Sequence, residues 1–176
     1  GWPSKIWPAE RYGNVARHLA ARYTMPSVVV WAGDEEQRLA ETIVDSSGEC
    51  AVLSPPTSIT QLAALSRRAR LFLGSDTGPM RLARAVGTPA ISMHGTSRAE
   101  WCGAYGGENV CLQARYDAGS ARQRRTADDS AMRAITVEMV CQACDELLAH
   151  TPRNSAVPTP ASIRTRQSTY RDSQTS

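Results

Sequence analysis

LFLGSDTGPMRLARAVGTPAISM, residues 71–93, is the stretch of sequence that decides the fold. It begins with a short apolar run, Leu71–Leu73, which Gly74 closes, and it ends with a second apolar run, Ala90–Met93, which Pro89 opens. Short apolar runs bounded by turn residues are typical of buried strands. The segment between them has the length and pattern of a helix. The stretch therefore predicts a strand, a tight turn, a helix and a second strand, which is the βαβ unit of a parallel sheet.

The turn inside this stretch has the features of an anion-binding site. Asp76, Thr77 and Gly78 lie where the first strand ends, and Pro79 suits the first helical position because its missing N–H would have no partner there. A helix N-terminus presents unpaired N–H groups and a partial positive charge, which favour phosphate. Gly78 leaves the approach open, while Asp76 and Thr77 offer a carboxylate and a hydroxyl. We therefore expect a phosphate-bearing ligand at this turn.

The rest of the chain continues the alternation of strands and helices. Apolar patterning predicts helices over residues 8–23, 35–46, 58–68 and 137–150, and strands over residues 27–31, 51–53 and 109–112. The run SVVVW at 27–31 is typical of a strand buried on both faces. Together these elements predict an α/β fold, a Rossmann-like doubly wound parallel sheet. Ligands bind at the carboxyl ends of such strands, so the turns at 33–36, 76–78 and 95–96 are expected to share one rim.

The two ends of the chain differ from this pattern. Residues 1–150 are predicted to form one domain, whereas residues 151–176 are rich in Ser, Thr, Pro and Arg without apolar periodicity and are predicted to be a disordered tail. The opening segment GWPSKIWP, residues 1–8, resembles the loop after a strand. We therefore expect the first strand of the domain to be missing from this chain.

Composition excludes several classes of protein. The chain has 176 residues, of which 41% are hydrophobic and 21% are charged, as in ordinary globular proteins. No apolar run approaches the roughly 18 residues of a membrane helix, so we expect a cytoplasmic protein without a transmembrane segment. A net charge of +3 is too small to indicate nucleic-acid binding. Cys141 and Cys144 have the CxxC spacing, but they lie in an amphipathic helical pattern, so we predict packing cysteines and no metal site.

Several motifs, in order along the chain, carry a family resemblance. They are WPSKIWPAERY at residues 2–12, WAGDEE at 31–36, the DTGPM, GTP and GT elements between residues 76 and 96, and WCGAYG at 101–106. In these motifs residues 1–149 resemble the C-terminal half of the heptosyltransferases, the family-nine glycosyltransferases of GT-B architecture. The resemblance implies a donor site for a nucleotide-activated sugar, ADP-heptose or a related compound, with no metal or cofactor.

The resemblance also implies the roles of individual residues. The family's motif lysine, which meets the donor phosphates, corresponds to Lys5. The glutamate that hydrogen-bonds the ribose corresponds to Glu36, or to Glu35 if the turn is read one residue shorter. The turn that holds the pyrophosphate and sugar corresponds to Asp76, Thr77 and Gly78, and Pro79, Met80 and Arg81 complete the expected donor-binding set.

Arg81 departs from the family pattern, which has a histidine at this position. An arginine keeps a donor for phosphate, and its fixed charge suits a pyrophosphate leaving group. It does not act as a proton donor at neutral pH. We therefore favour an electrostatic role, with Arg81 as a stabiliser of the leaving group. If the family histidine acts instead as an acid or base, the activity of this chain is in question.

The function implied is transfer of heptose to an acceptor of the lipopolysaccharide-core type, lipid-linked or glycan, in the cytoplasm or peripherally at the inner membrane. In GT-B enzymes the acceptor site and the catalytic base belong to the N-terminal domain, which this chain does not contain, so a separate N-terminal domain is an expected partner and the catalytic residue itself is not assigned. An inactive nucleotide-sugar binding module or a truncated fragment is the alternative. A dinucleotide-dependent oxidoreductase has less support, because no GxGxxG follows a strand.

Overall fold

A computed structural model describes residues 3–97, 109–116, 120, 123 and 126–150. In these residues the α-helices are α1 Ala9–Tyr23, α2 Gly33–Ser46, α3 Ile59–Arg68, α4 Gly78–Ala85, α5 Ser130–Arg133 and α6 Val137–His150. The β-strands are β1 Ser27–Val29, β2 Ala51–Leu53, β3 Phe72–Ser75, β4 Ala90–Met93 and β5 Asn109–Leu112, and a 3-10 turn, Pro3–Lys5, precedes α1. The alternation confirms the α/β prediction. The WCGAYG motif and the predicted tail lie outside the described residues.

Every strand pairing within the described residues is parallel, as predicted. β1 pairs with β2, and β3, β4 and β5 form a second sheet in that order. The predicted single sheet is therefore present as a two-stranded and a three-stranded part. In the larger part Ser75 is in register with Met93, so the residues that follow β3 and β4 lie at the same edge. This edge is where parallel sheets bind their ligands.

The prediction of a strand at 27–31 buried on both faces is wrong in two respects. β1 is only Ser27–Val29, and the side chain of Val28 is 49% exposed. Val28 pairs in register with Val52 of β2, which is 56% exposed. The helices α1 and α2 both contact β1, but they leave the face with these two valines uncovered. Burial of a sheet face depends on what packs against it, and β-branched composition does not supply that layer.

The hydrophobic core lies between the three-stranded sheet, α1 and α6. The indole of Trp7 is almost fully buried in it; its Nε1 donates to the carbonyl oxygen of Ile135 at 2.9 Å, and its ring makes an edge contact with Tyr12 at 4.8 Å between centroids. The other fully or nearly fully buried members of this cluster are Val15, Leu19, Ile91, Met93, Met132, Ile135, Val140, Ala143, Cys144, Leu147 and Leu148. Because Trp7 is the second residue after the 3-10 turn, this packing also fixes the position of Lys5.

The cysteines of the CxxC sequence pack as predicted. Cys144 is fully buried in the core, and Cys141 packs against it. Burial raises the pKa of the Cys144 thiol to about 12 and also raises the pKa of Cys141. Both thiols are therefore protonated at neutral pH, as expected of packing cysteines.

Candidate functional site

Lys5 lies beside the turn that follows β3. Its Nζ donates to the main-chain carbonyl oxygen of Asp76 at 2.8 Å and lies 3.4 Å from Asp76 Oδ2. The side chain of Lys5 is 24% exposed and that of Asp76 is 5% exposed. Two of the residues that the resemblance assigns to the donor site are therefore in direct contact, although 71 positions separate them in the chain.

The 3-10 turn that carries Lys5 is held by neighbours on β3 and after β4. Ser75 Oγ donates to the carbonyl oxygen of Lys5 at 2.6 Å. Thr96 Oγ1 donates to Ser4 Oγ at 3.4 Å, and both residues are buried. Gly95 packs so closely that a Cβ atom at this position would lie 2.8 Å from the carbonyl oxygen of Ser4. The main chain of Lys5 is thus fixed independently of its ammonium group.

A half-buried tyrosine completes this support. Burial of its hydroxyl raises the pKa of Tyr12 to about 12, although a hydrogen bond with Ser75 acts in the opposite direction. Tyr12 is therefore neutral at all ordinary pH values and serves as a partner of Ser75. Ser4, Tyr12 and Ser75 were not predicted as site residues. Tyr12 belongs to the WPSKIWPAERY motif, which was the one sequence signal that could have identified it.

Asp76 lies between two cationic side chains. In addition to Lys5 at Oδ2, Arg81 Nη2 lies 3.6 Å from Asp76 Oδ1. Arg81 is 72% exposed, so its guanidinium can turn to a ligand at little cost. The carboxylate orients both cations while leaving the group with one net positive charge. This arrangement suits an anion with two or more oxygens.

The N-terminus of α4 faces the same region. Thr77 is its N-cap residue, but the Thr77 side chain makes no capping hydrogen bond, and Thr77 Oγ1 donates to the carbonyl oxygen of Ser75 at 3.3 Å. Apart from its chain neighbours and the backbone of α4, no atom of the described residues lies within 4 Å of the place where a Cβ of Gly78 would stand. Pro79 is exposed in the first turn, one position later than predicted, because the helix begins at Gly78. The first turn of α4 is therefore open on the side of Gly78, as an anion site requires.

Met80 occupies a different environment from its neighbours. Its side chain is fully buried, and its Cε would lie 3.8 Å from a Cβ at Gly74. The side chain thus packs under the turn, so a contact with a donor would have to come from the main chain. The predicted assignment of Met80 to the donor-binding set remains a prediction on that basis.

Glu35 and Glu36 form a separate group at the end of β1. Both are exposed on the first turn of α2, after Gly33, whose φ is +76°. Glu36 Oε2 accepts a hydrogen bond from the main-chain N–H of Ala32 at 3.0 Å, which fixes the carboxylate at the start of the helix. The ion pairs that join Asp76 to Lys5 and to Arg81 lie elsewhere, at the turn that follows β3. A common rim for all three strand ends remains a prediction; the ends of β3 and β4 do lie together.

The described residues contain no group of three or more His, Cys, Asp or Glu side chains that could hold a metal ion. No helix in this part of the chain has the length and apolar character that crossing a bilayer requires.

Known proteins are similar to this chain both in sequence and in fold. The family model of glycosyltransferase family 9 (heptosyltransferase) matches residues 1–131. Lipopolysaccharide heptosyltransferase 1 of Pseudomonas aeruginosa is 29% identical over 111 residues, which are 63% of this chain and 31% of that protein.

Solved structures agree on the fold. A family 9 glycosyl transferase from Veillonella parvula has a TM-score of 0.73 at 24% identity and covers 84% of this chain and 43% of its own. E. coli heptosyltransferase WaaC, solved with ADP-2-deoxy-2-fluoro heptose, has a TM-score of 0.64 at 20% identity and covers 81% of this chain and 39% of its own. The chain thus spans less than half the length of these proteins.

Proposed function

Because the chain belongs to glycosyltransferase family 9, we propose that it binds the diphosphate of a nucleotide-activated sugar, ADP-heptose, and provides the donor half of a heptosyltransferase. The observation that carries the proposal is the convergence of Lys5 and Arg81 on Asp76 beside the open N-terminus of α4. Family membership removes the support for an oxidoreductase. The ligand in the E. coli structure, an ADP-heptose analogue, supports the choice of donor.

The two cations have different parts in this function. Lys5 carries a compact point charge on a flexible stem, and its main chain is fixed, so it suits a contact with a phosphate oxygen. Arg81 can present two N–H groups to one phosphate, which suits the charge that develops on the leaving diphosphate. Because a guanidinium does not release a proton at neutral pH, Arg81 stabilises the leaving group by charge alone.

The glutamates after β1 complete the proposed donor site. Glu36 is held by Ala32 through Oε2, and its second carboxylate oxygen is suited to accept a hydrogen bond from a ribose hydroxyl. Glu35 is the alternative on the same helical turn. Thr77 and Gly78 supply a hydroxyl and main-chain N–H groups for the diphosphate, in the first turn of α4.

We further propose that the acceptor is of the lipopolysaccharide-core type, and that the catalytic base comes from a second GT-B domain. The Pseudomonas aeruginosa relative, a lipopolysaccharide heptosyltransferase, supports this acceptor class. A reaction on such an acceptor places the protein in the cytoplasm, peripherally at the inner membrane. The alternative is a module that binds the nucleotide sugar without catalysing its transfer. Both forms bind donor, so they differ only in the transfer of heptose when an acceptor domain is added.

Calorimetric titration of the protein with ADP tests the donor site. We expect binding, and we expect Lys5→Ala to weaken it about 10- to 100-fold, as for loss of a charged hydrogen bond. Arg67→Ala is the matched control, because it also removes one positive charge, but from an exposed side chain at the end of α3. Absence of ADP binding by the folded protein would overturn the proposal, and equal losses in the two variants would show that only net charge matters.

A further inference from the structure

A second polar cluster lies between α4 and the three-stranded sheet, on the face opposite the core. Side chains alternate along a strand, so the residues between core positions point to the other face. Ile91, Met93, Val110 and Leu112 contact the core, whereas Ser92, His94 and Cys111 alternate with them. From α4, Arg84 reaches two of these residues, Ser92 and Cys111.

The contacts within this cluster converge on the sulfur of Cys111. Arg84 Nη2 donates to Ser92 Oγ at 2.7 Å and lies 3.4 Å from Cys111 Sγ. Ser92 Oγ also lies 3.4 Å from Cys111 Sγ, and His94 Nε2 lies 2.8 Å from Ser92 Oγ. Ser92 and His94 are fully buried, while Cys111 is half-buried.

We propose that Cys111 is a modification site, at which a thiolate held by Arg84, Ser92 and His94 is oxidised by peroxides. The thiolate is the reactive form of cysteine, and a neighbouring arginine or protonated histidine stabilises it. Here a permanent guanidinium charge lies 3.4 Å from the sulfur, the Ser92 hydroxyl lies at the same distance, and His94 contacts that hydroxyl. This site is separate from the donor-binding residues and does not depend on the proposed function.

The electrostatics of the three cysteines support this assignment. The hydrogen bond with His94 is the largest cause of the low pKa of the Cys111 thiol, and hydrogen bonds with Ser92 and Arg84 lower this pKa further. Partial burial opposes them, and the resulting pKa is about 6. The pKa values of Cys141 and Cys144 shift the other way, because burial dominates there. Among the described residues, the charged or titratable groups that face Cys111 are Arg84 from α4 and His94 after β4; α6 packs against the core face of β5.

The chemical step is a two-electron oxidation. The Cys111 thiolate attacks one oxygen of hydrogen peroxide, an S–O bond forms and the O–O bond breaks. The sulfur becomes a sulfenic acid, and the peroxide is reduced to hydroxide, which takes a proton from solvent to give water. No further reductant or oxidant is needed.

The expected reactivity has a distinct dependence on pH. A thiol with a pKa of about 6 is roughly half thiolate at pH 6, against about 0.1% for a thiol with a pKa near 9, but its intrinsic nucleophilicity is about 20-fold lower. The thiol with the lower pKa should therefore react about 20-fold faster than the ordinary thiol at pH 6, and this difference in rate vanishes by about pH 8. An ordinary exposed cysteine has no such advantage at acid pH.

Alkylation with iodoacetamide, followed by peptide mapping, measures this profile for each cysteine. We expect Cys111 in the folded protein to react about 20-fold faster at pH 6 than the same cysteine in urea-unfolded protein. Arg84→Gln should move the midpoint of its pH profile to higher pH, and Arg84→Lys, which keeps a positive charge, should move it less. A midpoint at or above pH 8 in the folded wild type, or labelling at pH 6 no faster than Cys141, would overturn the proposal.

Peroxide treatment tests the modification itself. With dimedone present at pH 6 and a few equivalents of hydrogen peroxide, we expect the sulfenic acid adduct on the Cys111 peptide. Cys50→Ser, which removes another half-buried cysteine, should leave this adduct unchanged, and Cys111→Ser should abolish it. An adduct distributed equally among the cysteines would contradict a specific site.

Discussion

The Nζ atom of Lys5 lies 2.8 Å from the main-chain carbonyl oxygen of Asp76 and 3.4 Å from its Oδ2. The main chain and the side chain of one residue thus both hold the ammonium group. The carbonyl contact does not depend on the identity of the side chain at position 76. Substitution of Asp76 therefore removes only part of what positions Lys5, whereas substitution of Lys5 removes the charge itself.

Asp76→Ala and Lys5→Ala are therefore expected to weaken ADP-heptose binding by different amounts. Lys5→Ala deletes a cation from the proposed phosphate contact. Asp76→Ala leaves Lys5 its contact with the main-chain carbonyl oxygen. It removes the carboxylate that holds Arg81, so the positions of both cationic side chains become less well fixed. We expect the smaller loss for Asp76→Ala, measured by calorimetry with ADP and with the full donor. A larger loss for Asp76→Ala would indicate that its carboxylate itself contacts the sugar.

Ser75→Ala tests the support beneath Lys5. The variant leaves the carbonyl oxygen of Lys5 without the 2.6 Å hydrogen bond and removes the partner of the Tyr12 hydroxyl. We expect the free energy of unfolding to fall by roughly 1–3 kcal/mol, as for loss of a part-buried hydrogen bond, and ADP binding to weaken. Urea titration and calorimetry measure the two effects. Unchanged ADP affinity in the folded variant would mean that Ser75 stabilises the fold without positioning Lys5.

Gly95 and Gly78 offer a matched pair of substitutions by alanine. At Gly95 the new Cβ would lie 2.8 Å from the carbonyl oxygen of Ser4 and 3.0 Å from Met132 Cγ, so main chain has to shift. We expect Gly95→Ala to cost roughly 1–3 kcal/mol of stability, as for overpacking. At Gly78 the new Cβ meets nothing, so stability should change by less than about 0.5 kcal/mol.

The Gly78→Ala variant separates ligand binding from folding. Since the methyl group occupies the space in front of the α4 N-terminus, we expect it to weaken ADP while the thermal midpoint stays the same. Thermal melts with and without ADP provide both values. Full ADP affinity in Gly78→Ala would place the diphosphate away from this turn.

The local elements were predictable because their signals are local. The helix at Ile59–Arg68 begins as expected at Ser58, where the Ser58 side chain accepts from the N–H of Gln61 and the Gln61 side chain accepts from the N–H of Ser58. This capping box needs only residues three positions apart. The strands Ala51–Leu53, Ala90–Met93 and Asn109–Leu112 likewise follow from short apolar runs between turn residues.

What the sequence did not predict depends on contacts between distant residues. The pairing of Lys5 with Asp76 spans 71 positions, and only the family resemblance placed both at one ligand. The exposure of Val28 depends on which helices cover β1, and the cluster at Cys111 requires the register of β4 and β5. These features arise from tertiary packing, which a pattern of residue types does not encode.

Asp145 should make stability depend on pH in the acid range. Its carboxylate accepts from Tyr23 at 2.8 Å and pairs with His18 at 2.8 Å. Burial opposes the charged form, but these partners together with Arg22 lower the pKa of Asp145 below its ordinary value of 3.8. The stabilisation is therefore present above pH 3.8 and is lost as the pH falls below it.

Urea titrations at several pH values between 2 and 6 measure this contribution. We expect Asp145→Asn to lower the free energy of unfolding at pH 6 and to have a smaller effect at pH 2, because the wild-type carboxyl becomes protonated as the pH falls. Glu41→Gln on the exposed face of α2 is a control for the loss of one acidic residue. An equal effect of Asp145→Asn at both pH values would mean that the charge of this group does not contribute.

Trp7 and Arg11 share one acceptor, the carbonyl oxygen of Ile135, so their substitutions should not be additive. Trp7 Nε1 donates to it at 2.9 Å and Arg11 Nη1 at 2.7 Å. In Trp7→Phe the oxygen keeps Arg11, and in Arg11→Met it keeps Trp7, so each single variant leaves the carbonyl paired. The double variant leaves it buried without either donor.

We expect the loss of stability in the double variant to exceed the sum of the single losses by roughly 0.5–3 kcal/mol, since residues in one hydrogen-bond network couple in this range. A double-mutant cycle by urea unfolding measures the coupling; additivity within about 0.5 kcal/mol would mean that another group, such as water, replaces the missing donor.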